Sequence, residues 1–380
     1  MSKELNYPRR QFLGAAALTI AAGPLAILGS AKAQSGKSSA STASAQPGQP
    51  QGAGSGQFPA TQPSQPSGSE STTTKQATQT ALPPIKQIDA GLLNVGYAEA
   101  GPSDGPVVVL LHGWPYDINS FADVAPLLTA KGYRVIIPHL RGYGTTRFLS
   151  DSTVRNGQQS VVAVDIIALM DALKIKTAIF AGFDWGARTA CIIAALWPQR
   201  CKALVSVSGY LIGNQEAGKH PLPPTAEHDW WYQYYFATER GRAGYDKNRR
   251  DFARLIWQLA SPKWNFDTAT FDRSALAFDN PDHVSIVIHN YRWRLAQEPG
   301  ETKYDDLERQ LAASPVITVP SITMEGDANG APHPDPVTYR GKFTGKYTHR
   351  TIPGGIGHNL PQEAPQAFAD AIIEVAGYTA

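Results

Sequence analysis

Gly182-Phe183-Asp184-Trp185-Gly186 is the segment best equipped for chemistry. Small residues two places before and two after Asp184 suit a sharp strand-turn-helix elbow, where larger side chains would clash. Such an elbow sets its central side chain at a helix N-terminus, whose free N–H groups and dipole keep a carboxylate ionised and nucleophilic. Further along the chain, Gly354-Gly355-Ile356-Gly357-His358 offers a histidine in a glycine-rich loop, and Met324-Glu325-Gly326-Asp327-Ala328-Asn329 offers groups that could orient it. A carboxylate nucleophile, an orienting group and a general base in that order suit a reaction with a covalent intermediate that water then cleaves.

These residues need a frame, and the hydrophobic pattern supplies one. Short strand-like runs at Ile85–Ala90 and Leu93–Ala98 precede a wholly apolar run, Val107–Leu111, which ends at His112-Gly113-Trp114-Pro115. Strands are predicted at Tyr133–Pro138, Ala178–Gly182 and Ala203–Ser208, with helices at Val161–Leu173 and Arg188–Trp197 between them. Such alternation implies a mostly parallel sheet with helices on both faces. It lapses over 212–311, an aromatic-rich stretch of helical period. It resumes with strands at Ser321–Met324 and His349–Ile352 and a helix at Ala364–Val375. The interruption is expected to be a helical lid over the C-terminal strand ends, the edge where open sheets place their sites.

Composition narrows the function. Residues 1–80 hold six Lys/Arg against two Glu, so the overall charge of +2 hides a folding part that is slightly acidic. That part has no basic footprint for nucleic acid. Two cysteines, Cys191 and Cys201, make no disulfide framework and read as core residues. Nine scattered histidines carry no metal-binding spacing, and no cofactor or metal is expected.

The order of nucleophile, acid and histidine resembles the α/β-hydrolase superfamily from about Pro83 onward. The resemblance implies an eight-stranded, mostly parallel sheet, with core segments 81–211 and 312–380 and a lid over 212–311. Within that superfamily, an aspartate nucleophile followed by Trp185, together with the His-Gly-x-Pro turn, resembles epoxide hydrolases and haloalkane dehalogenases. Arg141-Gly142-Tyr143-Gly144 also matches the epoxide hydrolase pattern, although His139 stands where an aspartate is common. Both groups attack an sp3 carbon with carboxylate. No Gly-x-Ser-x-Gly occupies the elbow, which argues against a serine esterase.

A departing halide needs only N–H donors, whereas an opening epoxide expels an alkoxide that requires a general acid. Tyrosine, ionising near pH ~10, can be that acid. Trp231-Tyr232-Gln233-Tyr234-Tyr235-Phe236 and His289-Asn290-Tyr291-Arg292-Trp293 resemble the two lid segments that carry such tyrosines, mapping them to Tyr232 and Tyr291. Trp114 stands where haloalkane dehalogenases often have a halide-binding Asn. Fluoroacetate-type dehalogenases carry Arg directly after the nucleophile, here Trp185, but Arg188 matches a second arginine of that group, so haloacid chemistry stays open as the alternative. A catalytically silent binding protein is a second alternative.

The expected reaction is attack of Asp184 on an apolar epoxide held by Tyr232 and Tyr291, followed by hydrolysis of the ester by water activated at His358. The resemblance implies an oxyanion site at the backbone N–H groups of Trp114 and Trp185, shaped by His112 and Gly113 and by a cis peptide before Pro115. The group that orients His358 is expected to be Asp327, with Asn329, at the family's usual aspartate position, as the alternative.

The N-terminus is expected to be an address rather than part of the enzyme. Pro8-Arg9-Arg10-Gln11-Phe12-Leu13, a mildly apolar run and Ala31-Lys32-Ala33 resemble a twin-arginine signal over 1–33, implying passage through the twin-arginine export machinery to the periplasm or beyond. Residues 34–80, nearly all Ser, Thr, Gln, Gly, Pro and Ala, read as a disordered linker.

Overall fold

Val107–Leu111 and Ala178–Gly182 lack the apolar-polar alternation of a half-exposed strand because helices cover both of their faces. In the computed structural model, which describes residues 81–378, they are adjacent central strands. The export segment 1–33 and the linker 34–80 lie outside the described residues.

The strands are β1 (Lys86–Ala90), β2 (Leu93–Ala100), β3 (Val107–Leu111), β4 (Arg134–Pro138), β5 (Arg147–Phe148), β6 (Ala178–Gly182), β7 (Cys201–Val207), β8 (Ser321–Gly326) and β9 (Tyr347–Ile352). They pair in the order β1-β2-β4-β3-β6-β7-β8-β9. The β1-β2 and β2-β4 pairs are antiparallel, and every pairing from β4 to β9 is parallel. This is the α/β-hydrolase fold, with nine strands among the described residues rather than eight. The extra strand is the two-residue β5, which pairs only with β2 and is too short to leave a hydrophobic period.

The helices of the sheet layer are α1 (Val124–Thr129), α2 (Gln159–Ala172) and α3 (Trp185–Leu196). Between β7 and β8 come α4 (Pro224–Asp229), α5 (Trp231–Ala237), α6 (Glu239–Ala260), α7 (Thr268–Ala275), α8 (His283–Arg294) and α9 (Asp305–Ala312). The chain finishes with α10 (Pro336–Tyr339), α11 (Leu360–Glu363) and α12 (Pro365–Ala376). The stretch expected to be helical thus holds α4 to α9.

Contacts join α2 with α3 and α1 with α12, and both α3 and α12 rest on β7. One continuous core runs from sheet residues such as Leu110, Phe180 and Leu204 into Phe236, Tyr245 and Trp257 of the inserted helices. Cys191 and Cys201 are free thiols buried within it.

Candidate active site

The elbow forms where β6 meets α3. Asp184 has φ 53° and ψ −124°, a left-handed conformation that an L-residue adopts at a cost of roughly 1–3 kcal/mol. The glycines around it are obligatory because a Cβ on Gly186 would run into the Leu111 carbonyl, and one on Gly182 would press on the backbone of Gly186. Gly113 meets the same limit from the facing turn, since a Cβ there would strike the Asp184 side chain. The small residues therefore let the β3 turn and the elbow approach closely enough to share hydrogen bonds.

They do share them. The Trp114 backbone N–H donates to Asp184 Oδ1 at 2.7 Å. Asp184 Oδ2 lies 3.5 Å from His358 Nε2. Burial pushes the Asp184 carboxyl up, but His358 and the backbone N–H groups of Trp114 and Trp185 outweigh it and hold the group below its ordinary range. The carboxylate is ionised at neutral pH, with one oxygen anchored by backbone and the other beside an imidazole.

The turn that supplies Trp114 carries a cis Trp114-Pro115 peptide. His112 lies beneath it, wholly buried, its Nδ1 3.1 Å from the Gly113 carbonyl and its Nε2 accepting from the Leu140 N–H at 3.2 Å. Burial pushes His112 down to about 4, so it is a neutral brace for the turn and has no free nitrogen to offer a substrate. Behind the Trp114 ring runs a relay that the sequence did not reveal. Trp114 Nε1–H donates to Tyr245 Oη at 2.8 Å, which in turn lies 2.8 Å from His283 Nε2, while His283 Nδ1 lies 2.9 Å from the Gly142 carbonyl. Its members are 131 and 38 residues apart, so no local pattern could join them.

His358 is held by its backbone. Its N–H reaches the Ala260 carbonyl (3.2 Å) and Ser261 Oγ (2.9 Å) at the end of α6. Ser261 Oγ–H donates to Glu363 Oε1 at 2.7 Å, and Glu363 also accepts the N–H groups of Gly357 (2.6 Å) and Asn359 (3.1 Å). Glu363 is a second feature without a sequence signal, because it looks like an ordinary acid in the first turn of a helix.

The expected orienting acid is not against the imidazole. Asp327 accepts the N–H groups of Gly354, Gly355 and Ile356 at 3.1, 2.8 and 2.9 Å, all on the solvent side. Its carboxylate therefore tethers the loop two residues short of His358 and has no bond to the ring. Asn329 is occupied as well: its Nδ2 donates to Glu325 Oε1 (2.7 Å) and its Oδ1 accepts from the Ala331 N–H (2.8 Å). His358 Nδ1 has no protein partner among the described residues.

Tyr232 on α5 and Tyr291 on α8 come together edge to face, with centroids 5.4 Å apart, and each packs 5.2 Å from the Trp114 ring. Burial raises the Tyr232 phenol well above its ordinary range against the opposing charge of Arg294. Burial, with Tyr232 and Asp184 nearby, does the same for Tyr291. Both remain protonated donors.

The space beside Asp184 is a cavity of about 520 Å³ including its mouth, walled by Trp185, Arg188, Ser208, Trp230, Arg294 and His358 among others. Tyr232 and Tyr291 stand behind this wall, against Trp114, and are not part of the open lining. Trp185 Nε1 is buried with no acceptor among the described residues. Asp184, Trp185 and His358 thus line one cavity, with the Trp114 turn bonded to Asp184 and the tyrosine pair packed on Trp114, while Asp327 stands outside it.

Residues 106–255 match the family model described as alpha/beta hydrolase fold. The chain is 33% identical over 150 residues to Epoxide hydrolase B of Mycobacterium tuberculosis, an alignment covering 36% of this chain and 41% of that protein. It is 34% identical over 200 residues to the AB hydrolase superfamily protein YfhM of Bacillus subtilis, covering 51% of this chain and 68% of that one. Among solved structures it is 65% identical to a candidate epoxide hydrolase from Klebsiella pneumoniae subsp. pneumoniae, with a TM-score of 0.77 over 77% of this chain and 97% of that chain.

Proposed function

We propose an epoxide as the substrate of this chain, which belongs to the α/β-hydrolase family and is an enzyme of the hydrolase class. The observation that carries this reading is an ionised Asp184 with one oxygen on the Trp114 N–H and the other 3.5 Å from His358 Nε2, beside two protonated tyrosines.

In the proposed reaction Asp184 Oδ2 attacks a ring carbon, and the carbon–oxygen bond breaks as a tyrosine hydroxyl donates its proton to the departing oxygen. The result is an aspartyl ester and a phenolate. A water molecule then gives a proton to His358 Nε2 and adds to the ester carbonyl carbon. The resulting oxyanion forms on Asp184 Oδ1, which already accepts the Trp114 N–H, with the Trp185 N–H acting on the same carboxylate. Collapse of that intermediate frees the diol, and the proton on His358 returns the phenolate to phenol. The inserted helices α4 to α9 serve as the lid that brings the tyrosines to the elbow. Residues 1–33 act as the export signal in this reading, tested by looking for the mature chain in the periplasmic fraction.

The test is to incubate the enzyme with styrene oxide, 1-chlorobutane and fluoroacetate, scoring diol against halide. Diol from styrene oxide, with a His358→Gln variant gaining the mass of one substrate on the Asp184 peptide, is the expected result. Halide release without diol would move the chain to the dehalogenases.

A further inference from the structure

Two guanidinium groups face the space beside Asp184, and neither is paired with an acid by a salt bridge among the described residues. Arg188 follows Asp184 by four residues on α3, one helical turn and about 6 Å along the axis. Arg294 ends α8, with its guanidinium carbon 4.6 Å above the Trp230 ring. Neither side chain makes an ion pair or a hydrogen bond with another described residue. The nearby Glu308 is already engaged by Gln158, Gln159 and the Ser160 N–H. The Trp230 indole N–H is also buried and without an acceptor among the described residues.

Arg188, Arg294 and Trp230 wall the Asp184 cavity and also an adjoining open pocket of about 710 Å³ including its mouth. Asp184 is the only carboxylate among the lining residues of the first space, and none lines the second. Arg188 is 8% exposed, and burial together with the charge of Arg294 pushes it down to about 10. Holding two like charges together in a confined wall is unfavourable unless an anion joins them, and a carboxylate accepts from guanidinium groups with strong charge-assisted bonds. Steadying Asp184 would need only Arg188. It does not explain Arg294, stacked on Trp230 where the two spaces meet.

We propose that Arg188, Arg294 and the Trp230 N–H form an anion subsite that binds a carboxylate on the substrate, so that the preferred substrates are epoxy acids rather than wholly apolar epoxides. The proposal rests on the epoxide reading for the reacting group and adds the charge that accompanies it.

The test compares kcat/KM for 3-phenylglycidate and its neutral amide. The wild type is expected to favour the acid at least tenfold, with the ratio falling toward one in Arg294→Gln and recovering in part in Arg294→Lys. Equal use of the two by the wild type, or an unchanged ratio in Arg294→Gln, would overturn the subsite while leaving the epoxide reading intact. If neither compound is opened, the epoxide reading fails and binding decides the subsite. Phenylacetate titrated into Asp184→Asn should then bind at least tenfold more tightly than phenylacetamide and lose that advantage in Arg294→Gln. Equal binding of the two would remove the proposal.

Discussion

Asp184 and Asp327 follow the C-terminal ends of two parallel strands, β6 and β8, and both are held by backbone N–H groups, yet they end in opposite situations. Asp184 is half-buried at φ 53°, with one oxygen anchored and the other facing an imidazole. Asp327 lies in the open, and its two oxygens take three loop N–H bonds. The difference teaches that an aspartate's role follows from which of its oxygens remain uncommitted and how much water surrounds them.

The comparison breaks most easily at Asp184. Replacing it with Asn keeps the shape and removes the charge, so diol formation should fall at least about 10³-fold with little change in folding. Steady-state kinetics beside a thermal melt would check this. Activity above that level would mean that the elbow carboxylate is not the nucleophile.

A second difference concerns what stands behind each aspartate. The turn facing Asp184 rests on two buried histidines, His112 and His283, that burial pushes down to about 4 and about 3. In the unfolded chain they would titrate near the ordinary 6.5, so between those values the unfolded state binds more protons than the native one. Their contribution is complete above about pH 6.5 and is lost as the pH falls toward 4 and then 3, at a cost on the order of a few kcal/mol. Hydrogen exchange at pH 5 against pH 7.5 should therefore show amides 112–114 and 116 losing protection before amides 354–358. Loss in the reverse order would show that the histidine loop is the weaker part.

These contrasts also explain how much was legible beforehand. The elbow was readable because its requirements are local: a positive φ and two glycines too crowded for a Cβ leave a mark within five residues. β3 and β6 were readable to the residue, since burial on both faces yields an uninterrupted apolar run. Asp327 has a place in the chain that suits an orienting acid, while its partners in the structure depend on how the loop at 354–356 turns its N–H groups toward it on the solvent side. The Trp114–Tyr245–His283 relay and the Glu363 clamp join distant residues of ordinary local appearance. Arg188 was visible by its spacing from Asp184. Arg294 looked like any basic residue in the last turn of a helix, and only folding sets it beside Arg188.

Glu363 gives a smaller and more selective effect. Glu363→Gln keeps its size but weakens the three bonds that fix the backbone on both sides of His358 and the Ser261 hydroxyl. A loss of about 1–3 kcal/mol in stability is expected, the range for disturbing hydrogen bonds to a partly buried charge. The kcat should fall roughly tenfold with KM little changed, because the elbow and the cavity wall are untouched. A KM rise without a kcat change would mean that the loop governs substrate entry rather than water activation.

The smallest effect belongs to Asp327, and it completes the comparison. Slight burial pushes its carboxyl up, but the Gly354, Ile356 and Gly355 N–H groups outweigh that and hold it below its ordinary range. Its contribution is therefore present above the unfolded pKa and fades as the pH falls through the lower folded value. Asp327→Ala frees those three N–H groups to water rather than stranding them in the core, so Tm should drop by no more than about 3 °C. The His358 backbone keeps its bonds to Ala260 and to Ser261, which Glu363 holds in turn, so kcat should change less than about fivefold, and the acid limb of the kcat profile should keep its midpoint. A carboxylate that stabilised an imidazolium would behave differently: its removal would shift that limb to lower pH and cut kcat by orders of magnitude. The kcat profile of Asp327→Ala thus separates a loop tether from an orienting acid, and a shifted limb would return Asp327 to the catalytic group.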